Sequence, residues 1–233
     1  MADNVVISPN DLIAKFQYAL DESWGYIFGT AGKKWTAADQ AKATREMTVK
    51  YGAKWVGHYV ADCSGLFTWA FAQLGGFMYH GSNTMFKKYT TANGTLSGGK
   101  RTDGQGLKPG TAVFTGTEGD HGHVGLFIGD GYVIEAKGTK AGVVKSKITD
   151  KRWTYWGELT GVNYNNEPIP KGYAVVTGKK VALRKEPCTK ATIITRIDTG
   201  KTVKIETPPP SDWDYVSYEK KQGYMMKEFL KEG

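Results

Sequence analysis

The sequence predicts an α+β protein in two parts: helices packed on an antiparallel sheet, then a small β-barrel. Three observations point there. Apolar residues recur at helical spacing as far as Leu74. From Ala112 onward, short apolar runs turn back on themselves across glycine-containing turns. After an Asn- and Pro-rich stretch at 163–172, a second series of short strands begins. Helices first and strands second is the pattern of helices laid on an antiparallel sheet.

Ser8-Pro9-Asn10-Asp11 reads as a helix start, with Leu12, Ile13, Phe16 and Leu20 on the apolar face. Trp24 to Thr30 is an aromatic, glycine-punctuated loop or short strand. Thr36-Ala37-Ala38-Asp39 resembles a capping box with Asp in place of Glu or Gln, and predicts a helix to about Tyr51. Asp62 is a good N-cap for a helix opened by Cys63 and Ser64, whose stripe is Leu66, Phe67, Ala70, Phe71 and Leu74; Gly75-Gly76 stops it. Residues 75–106 read as polar, glycine-rich loop. Lys108-Pro109-Gly110 turns into a strand at Ala112-Val113-Phe114, and a strand from His123 to Ile128 follows. Gly129-Asp130-Gly131 makes a tight hairpin turn, Tyr132 to Ala136 returns, and Gly142-Val143-Val144 adds another strand. Beyond the connector, strands are expected at 173–176, 181–184, 193–197, 202–205, 213–218 and 223–226, a spacing that suits a small barrel.

With 233 residues, 40% of them hydrophobic, the chain can bury one medium and one small core. The expected division is residues 1–165, a connector at 166–172, and residues 173–233. The formal net charge is +8, which suits an anionic polymer or surface as partner. Residues 171–233 carry 13 Lys and Arg against 8 Asp and Glu, so much of the excess sits in the smaller part. No Lys/Arg-rich run exists, and nucleic acid is not an expected partner. No stretch of about 18 apolar residues would span a membrane. Met1 to Asn4 carries no basic segment leading into an apolar one, so no secretory signal is expected. Neither Cys63 nor Cys188 belongs to a Cys-x-x-Cys pair, which argues against a zinc ribbon or a thioredoxin-type site. A disulfide between the two stays open, and would silence either thiol.

Cys63 in the first turn of a helix lies at the positive end of the macrodipole, which favours thiolate and predicts a pKa below the free value of about 8.5. The plain alternative is a small buried hydrophobe. A thiolate nucleophile needs a base and a group to orient that base. Of the histidines His58, His80, His121 and His123, the last is expected on a rigid strand between Gly122 and Gly125. His121, in the loop at 119–122, is the alternative base; His58 and His80 read as surface or helix-end residues. If the hairpin centres on Asp130, residue n faces 260 minus n. His123 then lies opposite Lys137, with Glu135 two positions away on the same face. A carboxylate there can fix the imidazole's tautomer. The alternative is a solvated strand residue.

At these residues the chain resembles the NlpC-type family of papain-like cysteine peptidases that cut cell-wall peptides. The matching pieces are Asp62-Cys63-Ser64-Gly65-Leu66-Phe67, Leu107 to Phe114, and Gly122-His123-Val124-Gly125 through Gly129. Tyr26-Ile27-Phe28-Gly29 is similar to the family's aromatic motif. The resemblance spans roughly Leu12 to Val144. It implies Cys63 as nucleophile and His123 as base, with Asp62, Ser64, Tyr26 and Ser82 binding the stem peptide. No metal or organic cofactor is implied. The sequence departs from the family in a longer segment between Phe28 and Asp62, and in Glu135 where a histidine is common. Residues 173–230 resemble a bacterial SH3 domain, from Val181-Ala182-Leu183-Arg184 at its opening to Gln222-Gly223-Tyr224 near its close. Cys188 is expected to be incidental.

The resemblance implies a peptidoglycan endopeptidase acting at the γ-D-glutamyl–diamino acid bond, held on wall polymer by the basic SH3-like part. A wall-lytic domain, a wall-binding domain and no visible signal suggest an endolysin that waits in the cytoplasm until lysis; export by another route fits as well. Two rivals stay open: an N-acetylmuramoyl-L-alanine amidase on the same Cys/His framework, and a wall-binding protein with an idle pocket.

Overall fold

The computed structural model describes residues 7–150, 152–164, 172–198, 201–207 and 212–232. The chain forms two compact units, residues 1–164 and 165–233. In the first, α1 (Pro9–Asp21) starts as its sequence dictates. The Ser8 hydroxyl accepts the Asp11 N–H at 3.1 Å, and Pro9 occupies the first turn, where no N–H is needed. Leu12, Phe16 and Ala19 are its buried face.

Next come β1 (Ala31–Lys34), α2 (Ala37–Ala41), α3 (Glu46–Tyr51) and β2 (Tyr59–Ala61), with β1 and β2 paired antiparallel. The Thr36–Asp39 capping box forms, but the single helix expected to run to Tyr51 is two short ones. The reason is burial: α2 buries no residue and α3 only Thr48, so no apolar stripe holds a longer helix together. Gln40 links the two instead, its amide donating to the Thr48 carbonyl at 3.1 Å.

The helix α4 (Cys63–Gln73) is the centre of this unit. Leu66, Phe67, Ala70 and Phe71 are buried among α1 and the sheet. Gly65 is obligatory for space: a Cβ there would lie 2.0 Å from the Thr30 carbonyl oxygen, so the helix tip packs backbone-to-backbone on the 29–30 loop. The stretch expected as loop from 75 to 106 contains α5 (Ser82–Lys88), β3 (Thr90–Ser97) and β4 (Lys100–Arg101). Only Met85 of α5 is buried, so the helix carries almost no periodic apolar signal of its own.

β5 (Ala112–Thr117), β6 (Asp120–Gly129), β7 (Tyr132–Gly138), β8 (Gly142–Lys147) and β9 (Trp153–Leu159) complete an antiparallel sheet of order β4-β3-β9-β5-β6-β7-β8. The hairpin register is the expected one, Leu126 opposite Ile134 and Phe127 opposite Val133. Asp130 and Gly131 have φ of 50° and 78°, the left-handed region such a turn requires. Ala112, Phe114, Val124, Leu126 and Ile134 face the helices. Val113, Phe127, Val133, Trp153 and Trp156 form a separate apolar cluster.

The second unit holds β10 (Tyr173–Val176), β11 (Val181–Arg184), β12 (Ile193–Ile197), β13 (Thr202–Thr207), β14 (Trp213–Tyr218), β15 (Lys221–Met226) and β16 (Leu230–Glu232). They form one antiparallel sheet of order β12-β11-β15-β14-β13-β10-β16 around Ala174, Val176, Leu183, Val203, Val216 and Met225. Residues 165–171, which carry most of the expected connector, lie outside the described residues. No described helix is long and apolar enough to cross a membrane.

Candidate active site

Asp62 organises the tip of α4. Its Oδ1 accepts the Gly65 N–H at 2.7 Å and the Ser64 hydroxyl at 3.2 Å, and its Oδ2 accepts the Gly29 N–H at 2.7 Å. The His80 imidazole Nε2 lies 2.9 Å from both oxygens. The carboxylate is 4% exposed, so these donors replace the water it has lost. Ser64 is equally buried and turned to this cap rather than to open solvent. His80 is an exposed residue, as expected, but its ring is engaged by the Asp62 carboxylate rather than free. It ties the chain before α5 to the helix that carries Cys63.

Cys63 is 8% exposed, and both cysteines are free thiols. The helix tip does not make it acidic. Burial, and then the negative charge of Asp62, push its pKa up to about 11, against hydrogen bonding from the backbone of Val124, Ser64 and Cys63 itself. The macrodipole expectation fails because burial and the capping carboxylate outweigh one helix end. The Val124 contact sets the sulfur against β6, beside the residue that follows His123. No hydrogen bond joins the thiol to the imidazole among the described residues.

His123 Nε2 stands 2.7 Å from Glu135 Oε2, and the ring stacks on Trp153 at 5.8 Å between centroids. Glu135 is fully buried. It also accepts from the Ser146 hydroxyl and from both terminal nitrogens of Arg152, one of them at 2.9 Å. Burial pushes the carboxyl pKa up; the bonds from His123, Arg152 and Ser146 and the Arg152 charge outweigh it and bring it to about 2. An ionised carboxylate only accepts, so Nε2 of His123 is the donor in this bond, which leaves Nδ1 as the nitrogen that can take up a proton.

The alternative base, His121, is not in a loop. It lies on β6, 2% exposed, and packs on Phe86 at 3.9 Å and on Tyr155 at 4.6 Å. A bulge in the β5–β6 pairing between Thr115 and Thr117 lets two histidines only two residues apart enter different surroundings. Burial lowers the His121 pKa, so it stays neutral in an aromatic pocket.

Tyr26 is half-buried near Cys63, Asp62 and Arg45; burial, then the two acidic groups, raise its pKa and keep the hydroxyl protonated. It lines a cavity of roughly 390 Å³ with Phe28, Arg45, Met47 and Thr139. The longer segment between Phe28 and Asp62 thus supplies one wall. Ser82 opens α5 between His80 and Asn83, whose side-chain oxygen accepts the His121 N–H at 2.6 Å. Arg152, Ser146 and His80 were not legible as site residues, because each reaches the site from a different element. No three His, Cys, Asp or Glu side chains among the described residues group closely enough to hold a metal ion.

The profile of the NlpC/P60 family matches residues 36–160, more than half of the chain and including Cys63, His123 and Glu135. No curated protein sequence matches significantly. Among solved structures, the NlpC/p60 domain of the peptidoglycan hydrolase SagA aligns at 16% identity and a TM-score of 0.44, over 66% of this chain and 100% of that one. RipD from Mycobacterium tuberculosis, described as a non-catalytic NlpC/p60 domain protein, aligns at 20% identity and 0.42, over 64% and 95%. NlpC2 from Trichomonas vaginalis aligns at 16% and 0.41, over 63% of this chain; the alignment spans 47% of the NlpC2 chain.

Proposed function

The chain belongs to the NlpC/P60 family, and from that membership we propose that it is a cysteine peptidase that hydrolyses bacterial peptidoglycan. The observation that carries the reading is the His123–Glu135 bond on the strand whose next residue, Val124, touches the Cys63 sulfur. In this mechanism His123 Nδ1 takes the thiol proton as the sulfur attacks the scissile carbonyl carbon. The oxyanion is held by backbone N–H groups at the α4 tip, that of Cys63 among them. The imidazolium then gives its proton to the leaving amine. Water, deprotonated by the same ring, releases the acyl group and restores the thiol.

We assign substrate contacts to Tyr26, which lines the cavity, and to Ser82 at the start of α5. Asp62 and Ser64, both buried, hold the helix tip that presents Cys63, and through it bear on the stem peptide. The bond we favour is γ-D-glutamyl–diamino acid. The second unit, a small basic antiparallel sheet, is read as an SH3-like module drawn to anionic wall polymer. Together the two make the architecture of an endolysin.

Mass spectrometry of fragments released from purified sacculi tests this. The endopeptidase reading expects released peptides that begin with the free amine of the diamino acid, and glutamyl residues with a free γ-carboxyl left on the glycan. An amidase would instead free whole stem peptides from the sugar. An idle wall binder, the rival that the buried and weakly acidic thiol favours, would sediment with the sacculi and release nothing.

A further inference from the structure

Cys63 keeps its proton in this site, so the base that removes it must arrive unprotonated. Glu135 alone works against that. A buried carboxylate 2.7 Å from an imidazole favours the imidazolium, whose Nδ1 has no lone pair to offer. Arg152 stands on the opposite side of the same carboxylate. Its guanidinium grips Glu135 through two nitrogens, lies over the Trp153 ring at 4.3 Å, and is held from behind by Asp150, whose Oδ2 accepts the Nε–H at 2.9 Å. The same Trp153 carries the His123 ring on its face. One indole thus aligns base and cation around one carboxylate.

We propose that Arg152 is a positioning residue for the reaction proposed above: by holding the Glu135 carboxylate from the opposite side it offsets the charge that faces His123 and fixes the imidazole with Nε2 toward Glu135. The groups that bear on this are few. Glu135 comes from β7, Ser146 from β8, and Arg152 and Asp150 from the segment before β9; Lys137 of β7 acts on Asp150, and Cys63 approaches from α4. With Arg152 in place the carboxylate's charge is matched by a cation of equal size, and its dipole still accepts the Nε2 proton. Without Arg152 the carboxylate keeps the Ser146 hydroxyl and His123, and only His123 can answer its charge with a proton.

The test is the titration of the His123 ring, followed by NMR in the full-length chain with isotope-labelled histidine; it does not require hydrolysis. In Arg152→Gln the midpoint is expected to rise by about one pH unit or more. In Arg152→Lys, which keeps the charge but loses the fork, it is expected to rise by less than half of that. In the Glu135→Gln/Arg152→Gln double variant it is expected to fall back to the native midpoint. The acid limb of wall hydrolysis should move with the titration. An unmoved midpoint in folded Arg152→Gln overturns the proposal, as does an Arg152→Lys midpoint a full unit above the native one. A native protein that releases nothing from walls, yet shows these shifts, sinks the peptidase reading and leaves the electrostatic role of Arg152 standing.

Discussion

The His80 imidazole caps Asp62 from outside the helix that Asp62 itself caps, with Nε2 2.9 Å from each carboxylate oxygen. The arrangement couples the segment leading into α5 to the tip of α4. His80→Ala removes one donor from a carboxylate that is 4% exposed and keeps three others. The expected cost is about 1–2 kcal/mol, below the full value of a buried charged bond because His80 itself is partly exposed. Urea unfolding measures it, and His80→Gln, which restores an N–H donor, should recover part of the loss.

Glu135 makes the protein acid-sensitive. Its folded carboxyl titrates at about 2, below its ordinary value of 4.5. The stabilisation from its ionised form is therefore complete above 4.5, and is lost as the pH falls from there toward 2. Glu135→Gln should cost about 3 kcal/mol at pH 7, the low end for a broken buried pair, since Arg152 retains Asp150. Unfolding curves of the two proteins from pH 7 down to 2.5 should converge as the native one loses its advantage. A gap that stays constant through that range would show that the carboxyl does not titrate as described.

Cys63 should be slow to alkylate on its own. Its pKa of about 11 leaves little thiolate at neutral pH. In a Cys188→Ser background, which removes the exposed free thiol, His123→Ala protein should react with iodoacetamide at a rate that climbs about tenfold per pH unit toward pH 11. The protein with His123 intact should react markedly faster near pH 7, because Nδ1 takes the proton. Equal rates at pH 7 would separate the imidazole from the thiol.

What the sequence disclosed follows from how local each signal is. The Asp62 cap, the Gly129–Gly131 turn and the register that brings Glu135 to His123 depend on neighbours along one helix or one hairpin, and all three are readable from residue type and spacing. The strands at 173–176, 181–184, 193–197 and 213–218 have the bounds expected of them; the first two alternate their burial residue by residue, a signal carried within one short run. Tertiary partners left no such trace. Arg152 reaches Glu135 from 17 residues away and His80 reaches Asp62 from 18, across elements with no common period. The thiol's pKa was misjudged for the same reason: the helix end is local, whereas the burial that outweighs it belongs to the whole packed unit.

The central claim is that the Cys63 sulfur does the chemistry, and the clearing of a cell-wall suspension tests it most directly. Native protein and Cys63→Ala, matched for folding and for binding to the wall, are followed by turbidity. Clearing by the native protein alone is the predicted result. Equal clearing by both would contradict the account, since the site built around Cys63 and His123 would then have no part in breaking the wall.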